Sequence, residues 1–380
     1  MSIQSKLPDV GITIFTVMSK MAAEHGAVNL SQGFPDFDPP AELVERVSHY
    51  MRQGMNQYAP MQGVPQLRQQ IARKIATLYQ LEIDPDTQIT VTSGATEALF
   101  AAIAAVVHSG DEVIVVEPAY DAYAPVIQLN GGIPVYLPLR FPEYSMEWDR
   151  LKEHLTDRTR LIILNTPHNP TGTVLSEADM TRLKAIVSER DIFILSDEVY
   201  EHIVFDGQNH QSILRDPELA ARSFVVSSFG KTYHTTGWKI GYCVAPPEMT
   251  LEFQKIHQFL TFASNTPIQL AYADFMQQTE HYLQLSGFYQ QKRDLFLDCM
   301  RSSRFKPLPC AGTYFQMMDY SAISDEADVD FARRLTVEHG VAAIPPSVFY
   351  HDQRDHKVLR FCFAKQDQTL VEAAELLCRI

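Results

Sequence analysis

A large doubly wound α/β domain with a mostly parallel sheet, joined to a smaller α+β domain, is the fold class this sequence predicts. Three observations predict it. From about Asp84 to Pro246, apolar strand-like runs alternate repeatedly with polar-edged helical segments. Several of those runs are nearly continuous in Val, Ile and Leu, as strands buried on both faces of a parallel sheet require. Beyond Pro246 the texture changes to a mostly helical stretch, Leu251 to about Met300, followed by shorter strands and helices.

In chain order the expected strands are Gln88–Thr92, Glu112–Val116, Ile133–Leu137, Leu161–Leu164, Ile192–Leu195, Phe224–Ser227 and Ile240–Val244. Helices are expected between them, among them Thr96–Val107 and Glu177–Glu189. The latter is announced by Ser176 and Asp179 at capping-box spacing. A second box, Thr369-Leu370-Val371-Glu372, is expected to open a final helix. The large domain is expected over residues 46–280, and the small domain over 1–45 plus 281–380. No repeat or low-complexity tract interrupts this pattern, and a long helix is the expected connection.

The chain has 380 residues, 46% hydrophobic and 21% charged, which is ordinary for a globular protein with a large core. A net charge of −14 disfavours a nucleic-acid partner, which needs a basic face, and gives anionic membranes nothing to attract. Five scattered cysteines without a CxxC pair read as reduced thiols rather than a disulfide or zinc framework. The first residues lack a signal-like apolar core, and the longest apolar run, Ala98–Val107, is too short to cross a bilayer. A soluble cytoplasmic protein is expected.

In an open α/β sheet, ligands bind beyond the carboxyl ends of the strands. The residues following five of the expected strands are therefore informative. They are Ser93-Gly94-Ala95-Thr96; Glu117-Pro118 with Tyr120; Asn165 with His168-Asn169-Pro170-Thr171-Gly172; Ser196-Asp197-Glu198 with Tyr200; and Ser228-Phe229-Gly230-Lys231. A small-residue loop at a helix N-terminus is either a plain turn or an anion site built from backbone amides. Asn169–Gly172 consists entirely of turn formers. Asp197 is either a cap or, placed directly after an apolar run, a carboxylate that needs a cationic partner. Tyr120 alone reads as a core aromatic or a stacking platform.

The segment Ser227–Gly241 sets Lys231 among small and hydroxylated residues, with Lys239 eight positions on. Hydroxyls and a second cation suit a phosphate, and a lysine amine suits an aldehyde. Together they point to a lysine Schiff-base site for pyridoxal phosphate. Arg360 interrupts the otherwise apolar Val358–Phe363. It serves either an internal salt bridge or a substrate carboxylate, which its forked donors fit. His351 and His356 lack metal-ligand spacing, and no dinucleotide, Walker or serine-hydrolase motif occurs.

These residues resemble the class I aminotransferases of pyridoxal-phosphate fold type I. The likeness runs from Ser31-Gln32-Gly33-Phe34-Pro35-Asp36-Phe37, through Asn169-Pro170-Thr171-Gly172, Ser196–Tyr200 and the lysine segment, to Leu359-Arg360-Phe361. The Gly33–Phe37 and Gly237-Trp238-Lys239 variants look most like the kynurenine, glutamine and methionine aminotransferase subgroup, its bacterial methionine-type members above all. The resemblance implies that Lys231 carries the cofactor and shuttles the proton, and that Asp197 keeps the pyridine nitrogen protonated. It further implies that Tyr200 and Asn169 bond the cofactor's phenolic oxygen and that Tyr120 stacks on the ring. Gly94, Ala95, Thr96, Ser228 and Lys239 would cradle the phosphate. Tyr58 would reach the phosphate of a neighbouring subunit, making a homodimer. Arg360 would clamp the substrate carboxylate with help from Asn169 and Gly33. Many relatives carry arginine at the position of Lys239, which keeps the charge here but loses the planar fork.

No second arginine for a distal carboxylate is identifiable. The candidate pocket residues Phe15, Phe37, Tyr58 and Tyr120 are aromatic and neutral, which favours methionine, aromatic, glutamine or kynurenine donors and a 2-oxo acid acceptor. Two other readings stand beside this one: a carbon–sulfur β-lyase on the same fold, and a non-enzymatic pyridoxal-phosphate-sensing regulator.

Overall fold

The structure, a computed structural model, describes residues 3–380. All seven expected strands form and join one sheet: β1 (Ile89–Thr92), β2 (Glu112–Glu117), β3 (Ile133–Pro138), β4 (Thr159–Asn165), β5 (Phe193–Asp197), β6 (Ser223–Ser228) and β7 (Gly241–Val244). Their order across the sheet is β1-β7-β6-β5-β4-β2-β3. β7 runs antiparallel to both neighbours, and the remaining pairs are parallel. Pro134 and Pro138 lie on β3, an edge strand, where a missing N–H costs no ladder bond.

Alternation along each strand fills two cores. Val113, Val115, Leu161, Ile163, Leu195 and Val226 pack in one apolar cluster, and Ile114, Val116, Ile162, Leu164, Ile194 and Val225 in another. These are the two faces of a sheet covered on both sides. A third cluster gathers Met18 and Leu30 with Phe296, Phe331, Phe361 and Leu377. It surrounds a three-stranded sheet of β8 (Lys306–Pro307), β9 (Phe315–Asp319) and β10 (Val358–Cys362), all antiparallel with β9 central. The chain start joins it, because Val28–Asn29 pairs in parallel with Val341–Ala342.

The helix at Glu177–Val187 opens with the expected box: Ser176 Oγ accepts from Asp179 N, and Asp179 reaches back to Ser176 N. The second box does not form. The last helix starts earlier, at Asp367, so Thr369 lies inside it and its hydroxyl donates to Asp36 at 2.7 Å. A tertiary carboxylate has taken the hydroxyl that local spacing assigned to a cap. The expected mostly helical stretch forms, as the helices Pro247–Leu260, Thr266–Phe275, Glu280–Leu283 and Leu285–Cys299 rather than as one long connecting helix. Phe262 adopts φ 66° at the first break, and Asn265 caps the next helix through Ile268 N. Residues 45/46 and 280/281 fall inside the helices Ala41–Arg52 and Glu280–Leu283.

Candidate active site

The carboxyl ends of the parallel strands open into a cavity of about 270 Å³. Its lining includes Phe15, Gly33, Gly94, Ala95, Thr96, Tyr120, Asn169, Asp197, Tyr200, Ser228, Lys231, Lys239 and Arg360. Thirteen of the fifteen site and pocket residues singled out from sequence thus meet at one place, although they are scattered over more than three hundred positions.

One end of the cavity is made for an anion. The helix Ala95–Val106 begins there with no side-chain cap, so its first backbone N–H groups and the positive end of its dipole remain available. Gly94 reaches this geometry at φ 80°, and a Cβ on it would sit 3.2 Å from Lys239 Nζ. The lysine is thereby placed against the same helix end. Lys239 itself is left-handed, at φ 54° after a 3₁₀ turn.

Asp197 ends β5. Burial raises its carboxyl to about 6, against the pull of a Tyr123 hydroxyl that donates to Oδ2 at 2.7 Å and of the nearby Lys231. Across the cavity, Lys231 projects from the short helix Phe229–Thr232 that follows β6. Its Nζ donates to Gly33 O at 3.0 Å and to Tyr314 Oη at 2.9 Å. Burial, with Arg360 and Lys239 nearby, lowers the amine to about 8. Tyr200 is buried beside it, and burial pushes its phenol up.

Arg360 is fully buried on β10. Its Nη1 donates to Asn169 Oδ1 at 2.8 Å and its Nη2 to Ser31 O at 3.0 Å, while Nε has no partner. The guanidinium lies 3.9 Å from the centroid of Phe315. Neither bonded partner is a carboxylate, so a buried cation faces the cavity with donor capacity to spare. Burial lowers it to about 10.

Tyr58 and Phe37 are the two exceptions. Tyr58 is 85% exposed and meets Phe262 edge-on at 5.6 Å, outside its own chain's cavity. Phe37, expected in the pocket, instead packs edge-on against His234 and Phe288 beneath the Lys292 ammonium. Three contributors were not foreseen: Tyr123, which holds Asp197; Phe315, under Arg360; and Tyr314, beside Lys231. Aromatic residues in apolar surroundings read as core, and no sequence signal separates these from core.

This arrangement can take an anion at the helix end, a flat ring between Tyr120 and the strand ends, a carbonyl at Lys231 and a second anion at Arg360. Residues 25–377 match the family described as aminotransferase class I and II, and the chain belongs to that family. It is 56% identical, over 98% of this chain and 97% of the relative, to the methionine aminotransferase of Escherichia coli strain K12. YbdL from Escherichia coli, whose crystal structure and reactivity identify a methionine aminotransferase function, superposes with a TM-score of 0.98 at 55% identity over 100% of both chains. N-Succinyldiaminopimelate aminotransferase from Mycobacterium tuberculosis superposes at 0.96, with 35% identity and 100% of both chains covered. The kynurenine–oxoglutarate transaminase of Dictyostelium discoideum is 35% identical over 97% of this chain and 94% of its own. The fold class and the transaminase reaction class read from sequence both hold.

Proposed function

We propose that the protein is a pyridoxal-phosphate-dependent aminotransferase moving the amino group of a neutral, large-side-chain amino acid, methionine foremost, to a 2-oxo acid. The observation that carries the donor class is the set of cations in the cavity lining: Lys231, Lys239 and Arg360. With one at the cofactor carbonyl and one at its phosphate, Arg360 alone is left for a substrate carboxylate. The aromatic rings of Phe15, Phe34 and Phe315 share that lining, and they suit a thioether or ring better than a distal charge.

The donor set fits the cofactor. The uncapped helix end, Ser228 and Lys239 would hold the phosphate, Asp197 the ring nitrogen, Tyr200 and Asn169 the phenolic oxygen, and Lys231 the aldehyde carbon. Bound there, pyridoxal phosphate supplies an electron sink for the carbanion formed at the substrate α-carbon. Asp197, raised to about 6 yet ionised near neutrality, would keep the ring nitrogen protonated. Lys231, lowered to about 8, is a competent base near neutral pH and would take and return the α-proton at Nζ. Arg360 would orient the substrate by a forked pair to its carboxylate.

We further propose two domains, residues 46–280 and residues 1–45 plus 281–380; most of the third apolar cluster comes from the second set, with Tyr200, Ile203 and Phe205 joining it from the first. Leu43 packs with the large-sheet core, which favours a limit just before the helix Ala41–Arg52. The exposed Tyr58, with the partly exposed Phe262 edge-on to it, supports a homodimer in which Tyr58 completes the neighbouring phosphate site. All five cysteines are free thiols, which supports a cytoplasmic setting.

The test is a donor screen with purified protein and a 2-oxo acid. Methionine should yield 4-methylthio-2-oxobutanoate, and aspartate should be poor. Good turnover of aspartate with none of any neutral donor would contradict the assignment.

A further inference from the structure

Tyr314 has no part in the chemistry described so far. It is fully buried and does not line the cavity, yet its hydroxyl touches the side chain at the centre of the reaction. The phenol donates its only proton to Gly33 O at 2.6 Å, so toward Lys231 it can only accept. Burial pushes this phenol well above its ordinary range, which keeps that proton in place at any working pH. A neutral amine has two N–H bonds and one lone pair. Both N–H bonds of Lys231 are engaged, one by Gly33 O at 3.0 Å and one by Tyr314 Oη at 2.9 Å. The lone pair is what remains.

We propose that Tyr314 is a positioning residue for the free amine of Lys231: with the Gly33 carbonyl it holds both N–H bonds, so that the nitrogen lone pair faces the cavity. The proposal rests on reading Lys231 as the lysine that carries the cofactor and is released when substrate takes its place. In that interval an unrestrained four-carbon side chain would sample many rotamers, and the proton transfer would wait on the productive one. The balance is simple. The α-proton moves to Nζ, which becomes an ammonium with three equivalent protons, and one of the three returns to carbon; Tyr314 neither gains nor loses one.

The support behind the phenol is rigid. Thr313, a β-branched residue, sits at φ 66°, a left-handed conformation seldom taken by such side chains. It is held there by its own N–H on Ile203 O at 2.9 Å and by its hydroxyl accepting from Phe315 N at 3.2 Å. A backbone outlier of this kind persists where its surroundings over-determine it, and such outliers gather at functional sites. The Tyr314 ring is wedged edge-on against Tyr200 at 5.1 Å and tilted against Tyr289 at 5.5 Å.

Tyr314→Phe keeps the ring and removes the oxygen. In the holoenzyme, its visible absorption band should persist and the KM for methionine should change by less than about twofold. Exchange of the methionine α-proton with solvent should slow about 10- to 100-fold. A second reading needs no cofactor: the pH dependence with which Lys231 of the apo protein is acylated, followed by mass spectrometry. The wild-type midpoint should lie near 8. In Tyr314→Phe it should fall, because the ammonium loses an acceptor while Asp197, Cys362, Arg360 and Lys239 stay in place. Unchanged exchange and an unchanged midpoint would overturn the proposal. If Tyr314→Phe does not fold, Thr313→Gly, which suits φ 66°, decides instead: loosening the support should slow exchange several-fold, and an unaltered rate would count against it. A wild-type protein without a visible band or a borohydride-fixed Lys231 would instead remove the lysine reading, and this proposal with it.

Discussion

The turn after β5 sends buried side chains into two different settings. Asp197 and Tyr200 line the cavity, where the neighbouring cations Lys231 and Arg360 have carbonyl, amide or phenol partners instead of carboxylates. Glu198 and Glu201, on the same short stretch, do not line it. Glu201 pairs with Lys74 at 2.6 Å and accepts from Tyr79, while Lys74 also donates to Tyr242 at 2.6 Å. Burial alone would raise the Glu201 carboxyl, but the Lys74 ammonium overcomes it and holds the group well below the usual range. Glu198 accepts from Ser196 Oγ at 2.8 Å and Ile213 N at 3.0 Å and pairs with His210 at 2.7 Å. Burial is equal on the two sides; compensation is not. Charges matched within the chain hold the turn in place, and charges left unmatched mark where a ligand must supply the partner.

The comparison can be broken in several places. Glu201→Gln should be the most costly to the fold, at about 3–5 kcal/mol, because it strands the Lys74 ammonium. Denaturant melts should show the loss, while the absorption maximum of the folded holoenzyme stays where it was. Arg360→Met should do the reverse. It should lower kcat/KM for methionine about 10²- to 10³-fold, as for a truncated buried charge pair, without lowering the melting temperature of the apo protein.

Asp197→Asn should stabilise the apo protein at neutral pH. The wild-type carboxyl is raised from 3.8 to about 6 in the folded state. Well below pH 3.8 it is protonated in both states and costs nothing. As pH rises through that window the unfolded chain ionises first, so stability is lost, by about 3 kcal/mol once pH exceeds 6. The variant should therefore be more stable at pH 7, with the difference vanishing as pH falls below about 3, as urea titrations across that range can check. Added cofactor should reverse the order. Lys239→Arg should be the smallest effect, with cofactor affinity within about threefold by equilibrium dialysis, since the charge is kept and covalent attachment adds to retention.

Much of this was legible in the sequence, for a physical reason. Strands buried on both faces must be continuous apolar runs, so the central strands announced themselves, and the edge strand Ile133–Pro138 was placed by the alternation around it. Residues of a site on such a sheet must follow the strand ends, so Asp197, Asn169, Ser228 and Lys231 could be read by position. Arg360 showed because a cation inside an apolar strand needs an anion, whether from an internal partner or from a ligand. The side chains that hold these groups were not legible. Tyr123, Tyr314 and Phe315 are apolar in type, and their roles come from contacts with residues far away in sequence. Thr369 was misread because a capping signature cannot see Asp36, more than three hundred residues upstream. The first helix break was not legible because Phe262 turns left-handed without a glycine to signal it.

The central claim is that Lys231 carries the cofactor and that Arg360 then admits a neutral amino acid. The most direct measurement is the visible spectrum of the purified holoenzyme as methionine is added without a 2-oxo acid. The band of the lysine-linked cofactor should give way to that of its amino form in a single turnover, and Lys231→Ala should never show the first band. A protein that stays colourless with added pyridoxal phosphate, or whose band methionine leaves untouched at saturation, would contradict the account.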